Sequence, residues 1–349
     1  MPLAEPTGLS PRAAARLGRR TLLASAAVGL ASPSLPRFAR AAEVTWRLGH
    51  NAPADFPLHV RLMEGAKAIE TQSAGRMVLE VHPNSELGSS VGLFAQLRVG
   101  TIDVVPVTCQ LLAEETAFGS LPMLGFVFPG YDAVWTALDG DLGSYMRSQI
   151  KERLALFAMD RCWNFGLRQV TTSGKVVSMA ADIEGLRLRS PPEADFIGLL
   201  QALKVLPVTT PLSGLERALQ THALDGQEGV LPLVRAARLY MVQSTCALTN
   251  HVWDGHWICV SQKAWLNLPL KLKDIVAAAF NESGLHQRQD TVANDAEVQK
   301  DLETKGMKFN AVDTDSFRQA LRKAGYYAAW QTKMGDGWAL LEKYSGHLT

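Results

Sequence analysis

Two hydrophobic periods alternate along most of this chain. Residues 44–48 read as a short strand. After Asp55-Phe56-Pro57, the apolar residues Leu58, Leu62, Ala66 and Ile69 recur at helical spacing until Gly75 stops the run. Residues 77–81 follow as a strand, and Leu93 and Leu97 with a stop at Gly100 mark a second helix. The short apolar run 104–107 suits a sheet covered on both faces. The rhythm continues with a helix from about Asp132 and strands at 154–158, 167–170 and 186–188, the last just before Pro191-Pro192. This alternation predicts an α/β fold with largely parallel sheets. The last third differs: residues 272–305 are good helix formers without proline, and Gly284 is their single glycine. A helix of that length runs on the order of 50 Å, more than one lobe's diameter, so it bridges two lobes or breaks near Gly284. A strand at 307–312 and a return to helix over 315–344 complete the pattern.

Length and composition then set the number of cores. The chain has 349 residues, 47% of them hydrophobic and 20% charged, which is globular composition on a chain longer than one core usually supports, so two domains are expected. The N-terminus is distinct. Arg12, Arg16, Arg19 and Arg20 precede an apolar, Ala-rich run to Leu30, and Ala39-Arg40-Ala41 offers a small-residue cleavage site. That order is an export signal, too short in its apolar part to span a bilayer. Gly18-Arg19-Arg20-Thr21-Leu22-Leu23 has the form of a twin-arginine signal. Removing 1–41 takes away six Arg and one Glu and moves the formal charge from +1 to −4. The mature protein is therefore mildly acidic, which with the absence of nucleic-acid motifs argues against a nucleic-acid partner. An anion bound by it must be held by a few local cations. Cys109, Cys162, Cys246 and Cys259 have neither CxxC nor zinc spacing, and an oxidising compartment leaves both disulfides and buried free thiols open.

Three constellations carry possible chemistry. Gly88-Ser89-Ser90-Val91-Gly92 matches the G-x-S-x-G elbow of serine hydrolases, but an elbow needs a strand running straight into the serine, and Pro83-Asn84-Ser85-Glu86-Leu87 intervenes. A loop capping the next helix is the plainer reading. His251-x-x-Asp254-x-His256 carries residue types that suit zinc, but at a short match in a Trp-rich stretch it reads better as structure or ligand contact, and no metal is expected. Arg168 and Arg189 are each flanked by apolar strand residues, and an arginine at the end of a buried strand demands an anionic partner, either an internal carboxylate or a ligand.

A series of segments bears on that choice. Gly49-His50-Asn51, His82-Pro83-Asn84-Ser85-Glu86-Leu87-Gly88, Gly100-Thr101-Ile102-Asp103, Gly166-Leu167-Arg168-Gln169, Gly185-Leu186-Arg187-Leu188-Arg189, Ala223-Leu224-Asp225-Gly226-Gln227-Glu228 and Thr249-Asn250-His251 occur in this order. In order and spacing they resemble the substrate-binding proteins of tripartite ATP-independent periplasmic (TRAP) transporters, across nearly the whole mature chain. The resemblance implies a two-lobed periplasmic binding protein fold with a long helix bridging the lobes. Lobe I would comprise 42–165 with about 254–290, and lobe II 166–253 with about 291–349. It implies a periplasmic monomer without cofactor or catalysis, which captures a small carboxylate and hands it to membrane permease subunits. A receptor serving a sensor kinase, or an exported hydrolase or metal enzyme using Ser90 or His251 and His256, are the rival readings. By the resemblance Arg189 is the bidentate clamp on the ligand carboxylate and Arg168 its support, as the planar guanidinium fork allows. Asn51, Ser90 and Thr108 stand where first-lobe polar contacts are expected, and Leu212 where an aromatic wall is common. Trp163, Trp253 and Trp257 lie near the expected crossovers, where they line the cleft or pack the core. Gly229 stands where the family usually has an asparagine, so water or a shifted Arg168 is expected to complete the carboxylate's shell.

Overall fold

The structure is a computed structural model and describes residues 42–349. The expected export signal, 1–41, lies outside them. Among the described residues the strands are β1 (Val44–Gly49), β2 (Met77–His82), β3 (Val104–Thr108), β4 (Leu156–Ala158), β5 (Trp163–Thr172), β6 (Arg187–Ser190), β7 (Leu206–Thr209), β8 (Gly226–Val230), β9 (Thr245–Leu248), β10 (Trp253–Ser261) and β11 (Lys308–Ala311). Their order is β2-β1-β3-β10-β5-β8-β6-β7, with β4 beside β10, and β9 joining β11 to β5.

The β–α–β rhythm is present where the periodicity places it. β1 pairs parallel with β2 and β3, and the helices Pro57–Gln72 and Ser90–Val99 connect them. The second helix ends on Gly100 in the left-handed region, φ 71°, where glycine carries no side-chain penalty. β6 pairs parallel with β7 and β8, and β9 with β11. The expectation of largely parallel sheets is corrected by β5 and β10. β10 runs antiparallel to β3, β4 and β5, and β5 antiparallel to β8 and β9. The reason is the path of the chain. Trp163 to Leu167 of β5 pair with β10, whereas Arg168 to Thr172 pair with β8 and β9, so β5 carries the chain out of the first sheet into the second. β10 brings it back, and an outgoing and a returning segment must run in opposite directions. Their register slips at Asp254/Gly255, where a Cβ on Gly255 would stand 2.6 Å from the Trp163 carbonyl oxygen, so only glycine permits the approach.

The long helix runs unbroken over Leu270–Thr304, 35 residues and about 52 Å. Leu272, Val276, Ala279 and Phe280 join a core with Leu48, Leu62, Ile69 and Met77, while Val298 and Leu302 join a separate core with Leu215, Leu219 and Leu224. One helix thus contributes its two halves to two cores. Gly284 marks a close approach instead of a break: a Cβ there would stand 2.6 Å from the Trp163 indole nitrogen. The helices Tyr326–Met334 and Asp336–Ser345 fold back onto the segment 117–154, where the Tyr327 hydroxyl donates to the Gly125 carbonyl oxygen at 2.9 Å. All four cysteines are buried free thiols.

In the C-terminal half of the long helix, Asp295 accepts a 2.8 Å hydrogen bond from the Tyr131 hydroxyl, and burial pushes its carboxyl up to about 6. In the unfolded chain an aspartate titrates at about 3.9. Its folded value is raised, so its contribution to stability is complete below the unfolded value and is lost as pH rises through about 6. Asp295→Asn, which keeps an acceptor for Tyr131, should flatten the decline in melting temperature between pH 4 and 7 and stabilise the protein at pH 7 by up to about 3 kcal/mol. Melting curves of both proteins across that range check this, and parallel curves would refute it.

Candidate functional site

Strand β6 reads Arg187-Leu188-Arg189-Ser190, and the period of two places Arg187 and Arg189 on one face while Leu188 enters the core. The two arginines meet different fates. Arg187 closes a bidentate pair with Asp225, Nη2 at 2.7 Å and Nε at 3.1 Å. Arg189, one pleat nearer the strand's C-terminal end, is only 8% exposed and has no carboxylate within 4 Å among the described residues. Its one hydrogen bond runs from Nε to the Thr210 carbonyl oxygen at 3.3 Å. Burial lowers its pKa, the neighbouring Arg168 adds to that, and the fields of Glu228 and Glu193 oppose it. A guanidinium desolvated without an anion is costly, and the geometry leaves its terminal nitrogens for one from outside.

Arg168 is satisfied from within. Its Nε and Nη2 bond the Glu228 carboxylate at 2.6 and 2.8 Å, and its guanidinium lies 4.5 Å from the Phe196 ring centroid. His251 donates or accepts at both ring nitrogens, 3.3 Å from Glu228 and 2.7 Å from the Thr249 hydroxyl. Burial works against the Glu228 charge, yet Arg168 and His251 outweigh it and hold the carboxyl well below the usual range. Glu228 was missed as a site residue by the sequence reading, although it lies in one of the quoted segments; a partner 60 positions from Arg168 has no local signature. The Nε/Nη2 edge of the Arg168 fork is committed to Glu228, while no hydrogen bond engages its Nη1 among the described residues. A Cβ on Gly229 would stand 3.1 Å from Gln227 Oε1 and 4.0 Å from Arg168 Nη2, so Gly229 sits directly against this pair.

Leu212 opens the helix Leu212–Gln220 two residues beyond Thr210 and is 44% exposed, so it flanks the Arg189 side chain's anchor with an apolar surface. On the other sheet, Asn51 follows β1, Thr108 ends β3 and Ser90 opens the helix Ser90–Val99 that comes eight residues after β2; the C-terminal ends of these strands form the edge where open α/β sheets bind ligands. Asn51 is exposed, and Ser90 and Thr108 are half-buried. No hydrogen bond links these three to Arg168 or Arg189. The Thr108 hydroxyl accepts from the Leu111 N–H at 3.1 Å and caps the helix Cys109–Glu115. Buried His50 and His256 belong to the same edge; burial, together with the neighbouring imidazole of His59 for His50 and of His50 for His256, pushes both down to about 4, so both are neutral at pH 7. Trp163 presents no surface to a cleft: it is fully buried against Phe280 and Gly284. Trp253 and Trp257 are likewise core residues.

The two catalytic constellations come apart. Ser89, not Ser90, caps the helix Ser90–Val99 by accepting from Gly92 N–H, and β2 ends eight residues before Ser90, so there is no strand-to-serine elbow. His251 is absorbed by Glu228 and Thr249, and among the described residues no three His, Cys, Asp or Glu side chains converge as a metal site.

Two sheets joined by crossing strands and spanned by one helix, with a buried unpaired arginine at a strand end, define the class of two-lobed solute-binding proteins. The chain belongs to the bacterial extracellular solute-binding proteins, family 7, whose model matches residues 48–330. It is 26% identical to the sialic acid-binding periplasmic protein of Vibrio cholerae over 74% of this chain and 79% of that one. It is 25% identical to the 2,3-diketo-L-gulonate-binding periplasmic protein of Escherichia coli, covering 80% and 83% of the two chains. Among solved structures, a TRAP periplasmic solute-binding protein from Ochrobactrum anthropi superposes with a TM-score of 0.83 at 22% identity, over 87% of this chain and 97% of that one. At that identity the likeness establishes the shared fold.

Proposed function

We propose that this protein is a periplasmic receptor without catalytic activity, which binds a small organic acid between its lobes and delivers it to the membrane permease of a TRAP-type transporter. The observation that carries the reading is Arg189, a buried guanidinium at a strand end with no internal carboxylate. The names of its relatives point the same way: proteins of this family bind sialic acid and 2,3-diketo-L-gulonate, and solved relatives hold glucuronate, galacturonate and L-gulonate. In this reading lobe I comprises 42–165 with about 254–290, and lobe II 166–253 with about 291–349, the last two helices reaching back over lobe I. Arg189 and Leu212 belong to lobe II, and Asn51, Ser90 and Thr108 to lobe I. Closure brings the two sets around the ligand and removes water, which strengthens the contact between Arg189 and the carboxylate.

A thermal-shift screen of the mature protein against organic acids tests this. Ligand at 100 times its dissociation constant adds about 2.7 kcal/mol of stability. A uniformly flat screen over sugar acids, hydroxy acids and dicarboxylates would count against the reading. Ser90→Ala should change the affinity of the acid so found by no more than about 1 kcal/mol, since one neutral hydrogen bond contributes about 0.5–1.5 kcal/mol net. Ester hydrolysis by the wild type that disappears in this variant would instead establish the hydrolase.

A further inference from the structure

We propose that His59 and His256, the former oriented by His50, form a specificity subsite on lobe I that takes an uncharged oxygen, a hydroxyl or carbonyl, at the end of the ligand remote from its carboxylate. The inference rests on the carboxylate role of Arg189 and concerns the part of the acid that Arg189 does not hold.

The subsite follows from strand periodicity. One face of the first sheet carries apolar stripes from three strands into a shared core: Trp46 and Leu48 of β1, Val260 and Ile258 of β10, and Trp163 of β5. One period of two further on, each stripe reaches a different side chain, His50 after Leu48, His256 after Ile258 and Phe165 after Trp163. β10 runs antiparallel to β3 and β5, with His256 opposite Thr108 on one side and Trp163 on the other, so these ends gather at the C-terminal edge of β1 and β3. Apolar packing thus gives way to imidazole where open α/β sheets bind ligands. His59, in the first turn of the helix Pro57–Gln72, covers His50 from the side. The rim is open: Asn51 and Phe165 are exposed, and His59 and Thr108 are half-buried.

The buried rings lack internal partners. His256 is only 4% exposed, and neither of its ring nitrogens makes a hydrogen bond among the described residues; Phe165 meets it edge-on at 5.3 Å between centroids. His50 is as deeply buried, uses Nε2 on His59 Nδ1 at 3.0 Å, and has Nδ1 without a partner. None of the three has a carboxylate within 4 Å among the described residues, in contrast to His251 and His286, each of which meets a glutamate. A buried polar side chain with no partner at all is normally explained by one supplied from outside.

The hydrogen-bond pattern says what that group is. An N–H stranded on the buried Nδ1 of His50 costs more than a lone pair there, so His50 donates from Nε2 to His59, and His59 Nε2 keeps a proton to give outward. A ligand oxygen accepts it. A methyl group in that place would leave the polar atoms unpaired, and a second carboxylate would be desolvated against His50 and His256, which are neutral.

The test titrates the mature protein at pH 7 with matched acids of one carbon skeleton whose remote carbon bears a hydroxyl, a methyl or a second carboxylate, built on each acid that shifts the melting temperature. The inference predicts that the hydroxyl form binds at least tenfold tighter than both counterparts. His59→Phe, at a half-buried position, and His256→Phe should each bring the hydroxyl-to-methyl ratio below threefold while the methyl form keeps its affinity within threefold. His50→Phe should lower the same ratio, because His59 then loses the neighbour that orients it. Melting curves establish first that each variant is folded. A wild type that binds the methyl or dicarboxylate form as well as the hydroxyl form overturns the inference and leaves the carboxylate reading standing. So does an unchanged ratio in His59→Phe, or an equal loss for hydroxyl and methyl forms, which is what a merely structural histidine would give. Binding that survives Arg189→Ala undiminished, or no binding by acids of any form, overturns both.

Discussion

Arg189→Ala weakens binding of the carboxylate ligand by roughly 2–5 kcal/mol, about thirtyfold to several-thousandfold, because the ligand's desolvated anion then has no cation. The variant's behaviour without ligand is equally informative. Wild-type Arg189 is a buried charge with a single backbone hydrogen bond, so removing it relieves desolvation and leaves no carboxylate behind. The unliganded melting temperature should therefore stay constant or rise. A structural ion-pair arginine would do the opposite, losing stability and keeping affinity. Arg189→Lys should bind nearly as poorly as alanine, because an ammonium keeps the charge but offers one point donor where the guanidinium presents a fork. Calorimetric titration of the folded variants reads both effects, and affinity within threefold of wild type in Arg189→Ala would remove the clamp assignment.

Glu228→Ala should be among the most destabilising single changes in the protein. Glu228 is buried, bonds Arg168 twice and meets His251, so its loss strands a buried guanidinium. Breaking a buried pair from one side costs about 3–5 kcal/mol. At about 2–4 °C per kcal/mol for a chain of this size class, melting should fall by roughly 6–20 °C. Arg168→Met, which removes the charge and keeps the stem, should cost less when combined with Glu228→Ala than the two changes cost separately, since the same pair is lost only once. A melting temperature within 2 °C of wild type in Glu228→Ala would show that Arg168 finds another partner and is not held as described.

Much of this arrangement was legible in the sequence, and the unread parts have physical causes. The first three strands and their helices stood out because each buries one stripe, giving clean periods at Leu58, Leu62, Ala66 and Ile69 and again at Leu93 and Leu97. The long helix was visible as a run without proline, but Gly284 left its continuity open, because only the packed structure shows the Trp163 ring resting against it. β8 escaped notice. Gly-Gln-Glu-Gly-Val has turn composition, yet it is a strand because a Cβ on Gly226 would stand 2.2 Å from the Thr171 carbonyl oxygen, and Gln227 and Glu228 find hydrogen bonds inside. β10 was hidden similarly by Asp254, Gly255 and His256 in its interior. Arg168 and Arg189 looked alike in sequence, each a cation among apolar strand residues. What separates them is the presence or absence of a carboxylate across the sheet, a tertiary fact that no spacing carries.

The central claim is that this protein recognises a carboxylate and releases it unchanged. The most direct measurement is titration calorimetry with the acid found by screening and with its primary amide, followed by recovery and chemical analysis of the bound molecule. The account predicts one site per chain, the amide weaker by at least about thirtyfold because a neutral group forgoes the charge of Arg189, and the acid recovered intact. Equal affinity for acid and amide, or recovery of a converted product, would contradict it.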